Sequence, residues 1–540
     1  MRKHALTILA AAFFVSTSAR ASNVTEFPDN GSEQMGRGGA WVARASDPLA
    51  TMYNPAGLAG QPTRLTLQVN LPFAQTCFHR MRDPNDTTLD TTLVDANGYY
   101  PKVCDDVGTF PVPSLGFTWR ATPRIGIGFL LTAPSGAAAQ AWPEFVTTST
   151  GSLYPAPERY LATYTNAFYL EPTLGVGVEP VDNLRFGASF IAGIANAQFS
   201  NGSMAVNNTG EDPRSNDIKA TLSTATVFVP GFTLGALWSA TRFFDVSAWY
   251  KWSAPIDASA DVKTYANYYN LGSSVVTGNS ALSDCGSGQP AGTCAPGLGH
   301  VKLNIPMEAK LGFRFHAPRH GIDAAELVHH RDPMAQDVWD AELDLTWAND
   351  SAIDYLNITF PGSNGTGTIP VNGTPGTVPP YASIPHMYND VLGARLGGDY
   401  NAIPNKLAIR AGAFFESEAA KTVNGQQLYM ATDFMSGARV GLSLGATLRI
   451  PLKHDVPATQ GGAIELSLGY MHMFVTDLNN NGSGGDGIRA LAGTACISGT
   501  PNAQGICSDG TPSNRSNFYV NLGTITNSVD VINFGASYRF

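Results

Sequence analysis

Charge is scarce in this chain. Only 14% of its 540 residues are Asp, Glu, Lys or Arg, against about a quarter in an ordinary soluble domain. A net charge of -10 argues against nucleic acid as a partner, because phosphate binding needs clustered Lys and Arg. No apolar run of 18 or more follows the first residues, so no transmembrane helix is expected. The six cysteines are too few for a disulfide-dense mini-fold. There is no Cys-x-x-Cys, no Gly-x-Ser-x-Gly elbow, no His-Glu-x-x-His and no P-loop. His329-His330 with Asp332 reads as a solvated turn. Asp477 to Gly482 starts like a calcium loop, but its twelfth position is Ile488 and not Glu. No metal, no cofactor and no enzyme activity are expected. Disorder is excluded, because 43% of the residues are hydrophobic.

What is present is alternation. Val301, Leu303, Ile305, Met307, Ala309, Leu311, Phe313 and Phe315 alternate with Lys302, Asn304, Pro306, Glu308, Lys310, Gly312, Arg314 and His316. This is a period-2 strand with one apolar and one polar face, and Pro306 marks a local irregularity. The same pattern runs through 63–73, 112–120, 124–133, 167–178, 184–198, 227–239, 243–253, 338–348, 390–400, 406–416, 438–449, 463–474 and 529–540. With 300–316 these make fourteen strands, an even number as a closed bacterial barrel requires. Charges of both signs recur on the polar face, which a polar interior tolerates and lipid does not. By parity Lys251, Lys302, Lys310, Arg314, Arg395, Arg410 and Arg439 face the lumen, with Glu171, Glu308, Asp340, Glu342 and Asp344 as ion-pair partners. Trp119, Trp238, Trp252, Trp339 and Trp347 at strand ends read as interfacial girdles.

Short connections such as 121–123 and 240–242 alternate with long ones such as 74–111 and 475–528. Short turns belong on the periplasmic side and long loops outside. The turn 317–337 is longer, with one helical turn expected at Asp323 to His329. The cysteines fall in pairs, one pair to a long loop. Fifteen pairings are possible in principle. The simplest is local: Cys77–Cys104, Cys285–Cys294 and Cys496–Cys507, which suits an oxidising compartment. At the start, Arg2 and Lys3, the apolar run Ala5 to Val15 and Ala19-Arg20-Ala21 form a cleavable secretory signal, residues 1–21. At the end, Ile532, Phe534, Ala536, Tyr538 and Phe540 form a strand that finishes on an aromatic residue.

Residues 22–62 break the strand pattern. They carry Gly36-Arg37-Gly38-Gly39-Ala40, then Asp47, then Asn54-Pro55-Ala56-Gly57-Leu58. Pro55 fixes φ and biases Asn54 away from helix, and Asn54 can cap the turn. With the strand count and the terminal Phe540, these residues resemble the N-terminal hatch of FadL/TodX-type outer-membrane transporters. Tyr169-Leu170-Glu171-Pro172 also resembles that family. The resemblance implies an all-β fold: a 14-stranded antiparallel transmembrane β-barrel, residues 63–540, with an N-terminal plug inside the lumen. It implies a bacterial outer-membrane location and uptake of hydrophobic molecules, first of all long-chain fatty acids, or uncharged aromatic hydrocarbons in other members. The mechanism it implies is capture at the outer mouth, hatch rearrangement and lateral release at strand three, where Pro134 and Gly136 interrupt the ladder. Outer-membrane lipid, lipopolysaccharide and the barrel-assembly machinery are the other expected partners, and the expected state is a monomer. Candidate ligand contacts are the cations Arg159 and Lys302 and the apolar Phe73, Phe78, Trp142, Phe145 and Tyr154. Competing readings are a general porin, a barrel enzyme (for which His300 and His472 alone lie on strands near the rim) and a structural surface protein.

Overall fold

The structure, a computed structural model, describes residues 31–82, 93–106, 111–133, 139–147, 151–204, 217–266, 268–269, 277–279, 299–322, 329–359, 367–371, 374–378, 381–452, 462–482 and 522–540. The wall is β1 (Arg64–Arg80), β2 (Val112–Thr122), β3 (Ile125–Thr132), β4 (Tyr164–Val181), β5 (Leu184–Met204), β6 (Val227–Thr241), β7 (Phe244–Ser253), β8 (Glu308–Pro318), β9 (Asp337–Ala348), β10 (Val391–Ile403), β11 (Leu407–Glu416), β12 (Arg439–Pro451), β13 (Ala463–Val475) and β14 (Gly523–Arg539). Each pairs antiparallel with the next, and β14 closes on β1 through seventeen register partners from Arg64↔Arg539 to Arg80↔Gly523. Full closure leaves no free edge.

The alternating pattern sets which way the wall faces. On β12 the odd positions Arg439, Ser443, Thr447 and Arg449 are buried, while Val440, Leu442, Leu444, Leu448 and Ile450 are exposed. Leu444 is 62% exposed and Leu442 52%. The ten residue steps from Val440 to Ile450 span roughly 33 Å along the strand. A tilt of about 40° brings this near the ~25 Å apolar band of membrane barrels. Trp119, Trp238, Phe315 and Trp339 are exposed where β2, β6, β8 and β9 approach their short turns.

Above this wall the sheet continues. Asp217–Thr224 and Ile256–Ala266 pair with each other, and Gly299–Leu303, Tyr355–Thr359 and Tyr381–Pro385 follow in order. One expectation is corrected here. The alternation from Val301 to Phe315 is two strands, Gly299–Leu303 and Glu308–Pro318. The ladder between the β7 and β8 chains stops at Lys251↔Glu308 and resumes, without a change of register, at Ile256↔Leu303. Four steps are left unpaired. Pro255 and Pro306 fall inside them and carry no N–H for a ladder. Sidedness reverses across the gap. Below it Lys251 and Glu308 are buried; above it Ala258 and Val301 are buried, while Asp257 and Lys302 are exposed.

Of the three cysteine pairs, Cys77–Cys104 is a disulfide joining β1 to Val103–Cys104. Cys285, Cys294, Cys496 and Cys507 lie outside the described residues, as do the signal segment 1–21, Pro134, Gly136 and most of the turn Asp323 to His329.

Candidate functional site

The segment 31–62 sits against the polar, buried face of the wall. Two short helices, α1 (Ser32–Gly36) and α2 (Ala50–Tyr53), and a 3-10 turn, Pro55–Leu58, are its only regular elements. Irregular backbone at this depth needs partners, and the strands supply them. Asp344 Oδ2 accepts from the amides of Trp41 at 2.8 Å and Val42 at 3.1 Å. Glu342 Oε1 accepts from Ala43 N at 2.6 Å. Arg37 donates to Asp399 at 2.7 Å and to Glu342 at 3.2 Å, and also pairs with Asp340. Arg44 pairs with Asp340 and, at 2.9 Å, with Asp399. Arg410 completes the cluster on Asp399 at 3.0 Å.

The Asn54 side chain ties the segment to itself. Its Nδ2 donates to Val42 O at 2.7 Å, and its Oδ1 accepts from Ala56 N at 3.2 Å. Pro55, Ala56 and Gly57 are buried beside it. Gly397 and Gly412 on the wall are glycine for a steric reason. A Cβ at either would collide with the Arg37 backbone.

Above the segment lies an apolar cavity. Its space, counted together with the open solvent at its mouth, is about 1050 Å³. Its walls come from β4 and β5 (Ala167, Phe168, Tyr169, Ala195, Ala197, Phe199), from the upper sheet (Ile256, Val301, Leu303, Leu356), from Asn304 and Ile305 in the ladder gap, and from Phe434 and Met435 of the β11–β12 connection. Among the described residues no Lys or Arg lines it. Its formal charge is Asp433, whose Oδ2 lies 2.8 Å from His386 Nε2. The remaining polar residues are Gln140, Thr165, Asn196, Thr224 and Asn304, together with Tyr169. A second cavity near the short turns is polar, with Asp245, Arg314, His316, Arg331 and Asp337 among its walls.

None of the seven candidate contacts expected from sequence lines the apolar cavity. Lys302, expected to face the lumen, is exposed on the other side because the strand pair turns over in the ladder gap. Phe73 points outward and is 46% exposed. Arg159 is buried and engaged: Nε donates to Asp217 Oδ2 at 2.8 Å, and Nη2 donates to Tyr160 at 2.7 Å. Phe78 and Trp142 belong to a buried loop core with Val103, Tyr160, Leu161 and Ile525. Tyr154 pairs across a small hairpin with Val146, and Phe145 stacks near Tyr268 and Tyr269. The parity-derived cations are otherwise inside as expected. Lys251 meets Glu171 at 3.2 Å, Arg395 meets Glu416 at 2.8 Å and Arg439 meets Glu416 at 2.7 Å. The missed cavity residues gave one signal, Tyr169, in the segment that resembled the family.

No family model matches the chain, and no curated protein matches it in sequence. The fold does match solved structures. A FadL homologue from Pseudomonas aeruginosa superposes with a TM-score of 0.63 at 16% identity, covering 96% of this chain and 99% of that one. The toluene transporter TbuX of Ralstonia pickettii gives 0.53 at 13%, covering 96% and 99%. The toluene transporter TodX of Pseudomonas putida gives 0.51 at 13%, covering 95% and 99%. The likeness is one of fold: this chain is similar to FadL/TodX-type outer-membrane transporters over nearly its whole length, in agreement with the resemblance seen in its motifs.

Proposed function

We propose that the chain is an outer-membrane channel for uptake of hydrophobic molecules, that residues 31–62 act as its hatch, and that the apolar cavity holds the ligand in transit. The observation that carries this reading is the cavity itself, an apolar space between the long loops and a buried segment clamped by ion pairs. The outward apolar band and its aromatic ends support a membrane location. The toluene transport named for two proteins of the same fold supports a hydrophobic cargo.

Uncharged hydrocarbons fit this cavity better than fatty acids. A carboxylate head needs a cation beside the apolar pocket, and among the described residues the charged side chain lining it is Asp433, which His386 engages. Long-chain fatty acids are the second reading, favoured by the FadL homologue. Release is inferred to be sideways. The candidates Pro134 and Gly136 lie outside the described residues. The ladder gap between β7 and β8 adjoins the cavity through Ile256, Leu303, Asn304 and Ile305.

Titration of the detergent-purified chain with naphthalene and with palmitate, followed by Trp fluorescence, tests the reading. Saturable naphthalene binding with weaker palmitate binding is expected. Tighter palmitate binding would return the assignment to fatty acids, and saturable binding of neither would remove the transporter reading.

A further inference from the structure

The cavity has a polar corner that an uncharged hydrocarbon leaves unused. Gln140 and Thr165 are register partners in the short ladder that joins Ala139–Ala141 to β4. Cross-strand partners place their side chains together on one face. Both line the cavity, and they are only 3% and 4% exposed. Gln140 Oε1 and Thr165 Oγ1 are buried with no hydrogen-bond partner among the described residues. Oxygens left in this state disfavour an empty or purely apolar filling, because the lost hydration is not replaced. Asp433 brings a carboxylate to the same cavity, held in place by His386.

We propose that this corner is a head-group subsite, and that the preferred cargo is a neutral hydrophobe carrying one hydroxyl, such as a long-chain alcohol or an alkylphenol. The inference rests on the transport reading above and narrows its substrate class. A hydroxyl has one donor and two acceptor sites. When the Gln140 and Thr165 side chains turn toward the cavity, since both oxygens are closed off in the structure, it can donate to Gln140 Oε1 and accept from the Thr165 hydroxyl, while its chain lies along Tyr169, Ile256, Leu303 and Phe434. An alkane satisfies neither oxygen. A carboxylate offers acceptors only and sets its charge against Asp433. Three ligands of one chain length are therefore ranked by their heads alone.

The test measures binding of tritiated 1-decanol, decane and decanoate to the full chain in detergent micelles, with empty micelles subtracted. One net hydrogen bond corresponds to about a fivefold change in affinity. The expected result is decanol about 25-fold tighter than decane, one fivefold step for each of its two hydrogen bonds, with decanoate weakest. Thr165→Val, which keeps the side-chain shape, and Gln140→Leu each lower decanol affinity about fivefold and do not weaken decane, which loses an unmet polar neighbour. Asp433→Asn strengthens decanoate. Decane binding saturably with no advantage for decanol overturns the subsite and leaves the transport reading standing. An alcohol preference that survives both substitutions also overturns it. If none of the three ligands binds saturably, the transport reading fails and the subsite fails with it.

Discussion

Replacing Arg37 by Met should loosen the buried segment without opening the wall. Arg37 is fully buried and touches three carboxylates, Asp340, Glu342 and Asp399. Removing one partner of a buried ion pair costs about 3–5 kcal/mol. The lower end applies here, because Arg44 still reaches Asp340 and Asp399, and Arg410 still reaches Asp399. About 3 kcal/mol makes local opening roughly a hundredfold more frequent. Met retains most of the side-chain volume, so packing against Gly397 and Gly412 changes little. Hydrogen exchange at the amides of Trp41, Val42 and Ala43 reads the effect, since these donate to Asp344 and Glu342. Their protection should fall by about two orders of magnitude. Amides in the β12–β13 ladder should keep theirs. Protection at Trp41 to Ala43 within threefold of wild type would refute the idea that the ion-pair cluster holds the segment.

Other expected outcomes follow from the same geometry. Lys302→Ala should leave naphthalene affinity within about twofold, because the side chain is exposed and outside the cavity; a large loss by fluorescence titration would put Lys302 back in the site. A Cys pair at Ala254 and Ile305, which oppose each other in the ladder gap, should block hydrocarbon uptake when oxidised and restore it when reduced. A matching pair at Ala248 and Leu311, inside the intact ladder, should have no effect on uptake. Burial pushes the Glu158 carboxyl in the β3–β4 connection up from 4.5 to about 8, against the pull of Arg159 and Arg80. A group raised in the folded state adds stability below its ordinary value and loses it as pH rises through the raised one. Proteolytic protection of residues 151–163 should therefore fall progressively from about pH 4.5 to about pH 8 and level off above that, and Glu158→Gln should flatten the profile. A flat wild-type profile would contradict this.

The wall was legible because its period is two and its faces differ. Leu442 and Leu444 against Ser443 and Gly445 could point only one way each once the interior was polar. The cysteine pair Cys77–Cys104 was legible because its two sulfurs are near each other in sequence, although Cys77 lies on β1 and not in the loop as expected. Lys302 was misplaced by the same logic that succeeded elsewhere. Parity was carried through Pro306 as though the ladder were whole, but two prolines in facing chains leave four steps unpaired and let the strands turn over. Of the cavity, only Tyr169 left a signal in the sequence. The cavity is assembled from Tyr169, Ala195, Ile256, Leu303 and Phe434, which are far apart in sequence and meet only through register and loop packing. Arg159 looked like a ligand cation because Asp217, its partner, stands 58 residues away.

The most direct test of a ligand path through the cavity is uptake of ¹⁴C-naphthalene by cells expressing the full chain, with and without Ala195→Trp. Ala195 is 1% exposed and lines the cavity, so an indole there projects into the space and narrows it while the outward face of β5 is unchanged. Uptake should fall at least tenfold (about 1.4 kcal/mol in apparent affinity) in a variant that still reaches the outer membrane as a folded barrel. Unchanged uptake in that variant would show that hydrophobic molecules cross by another route.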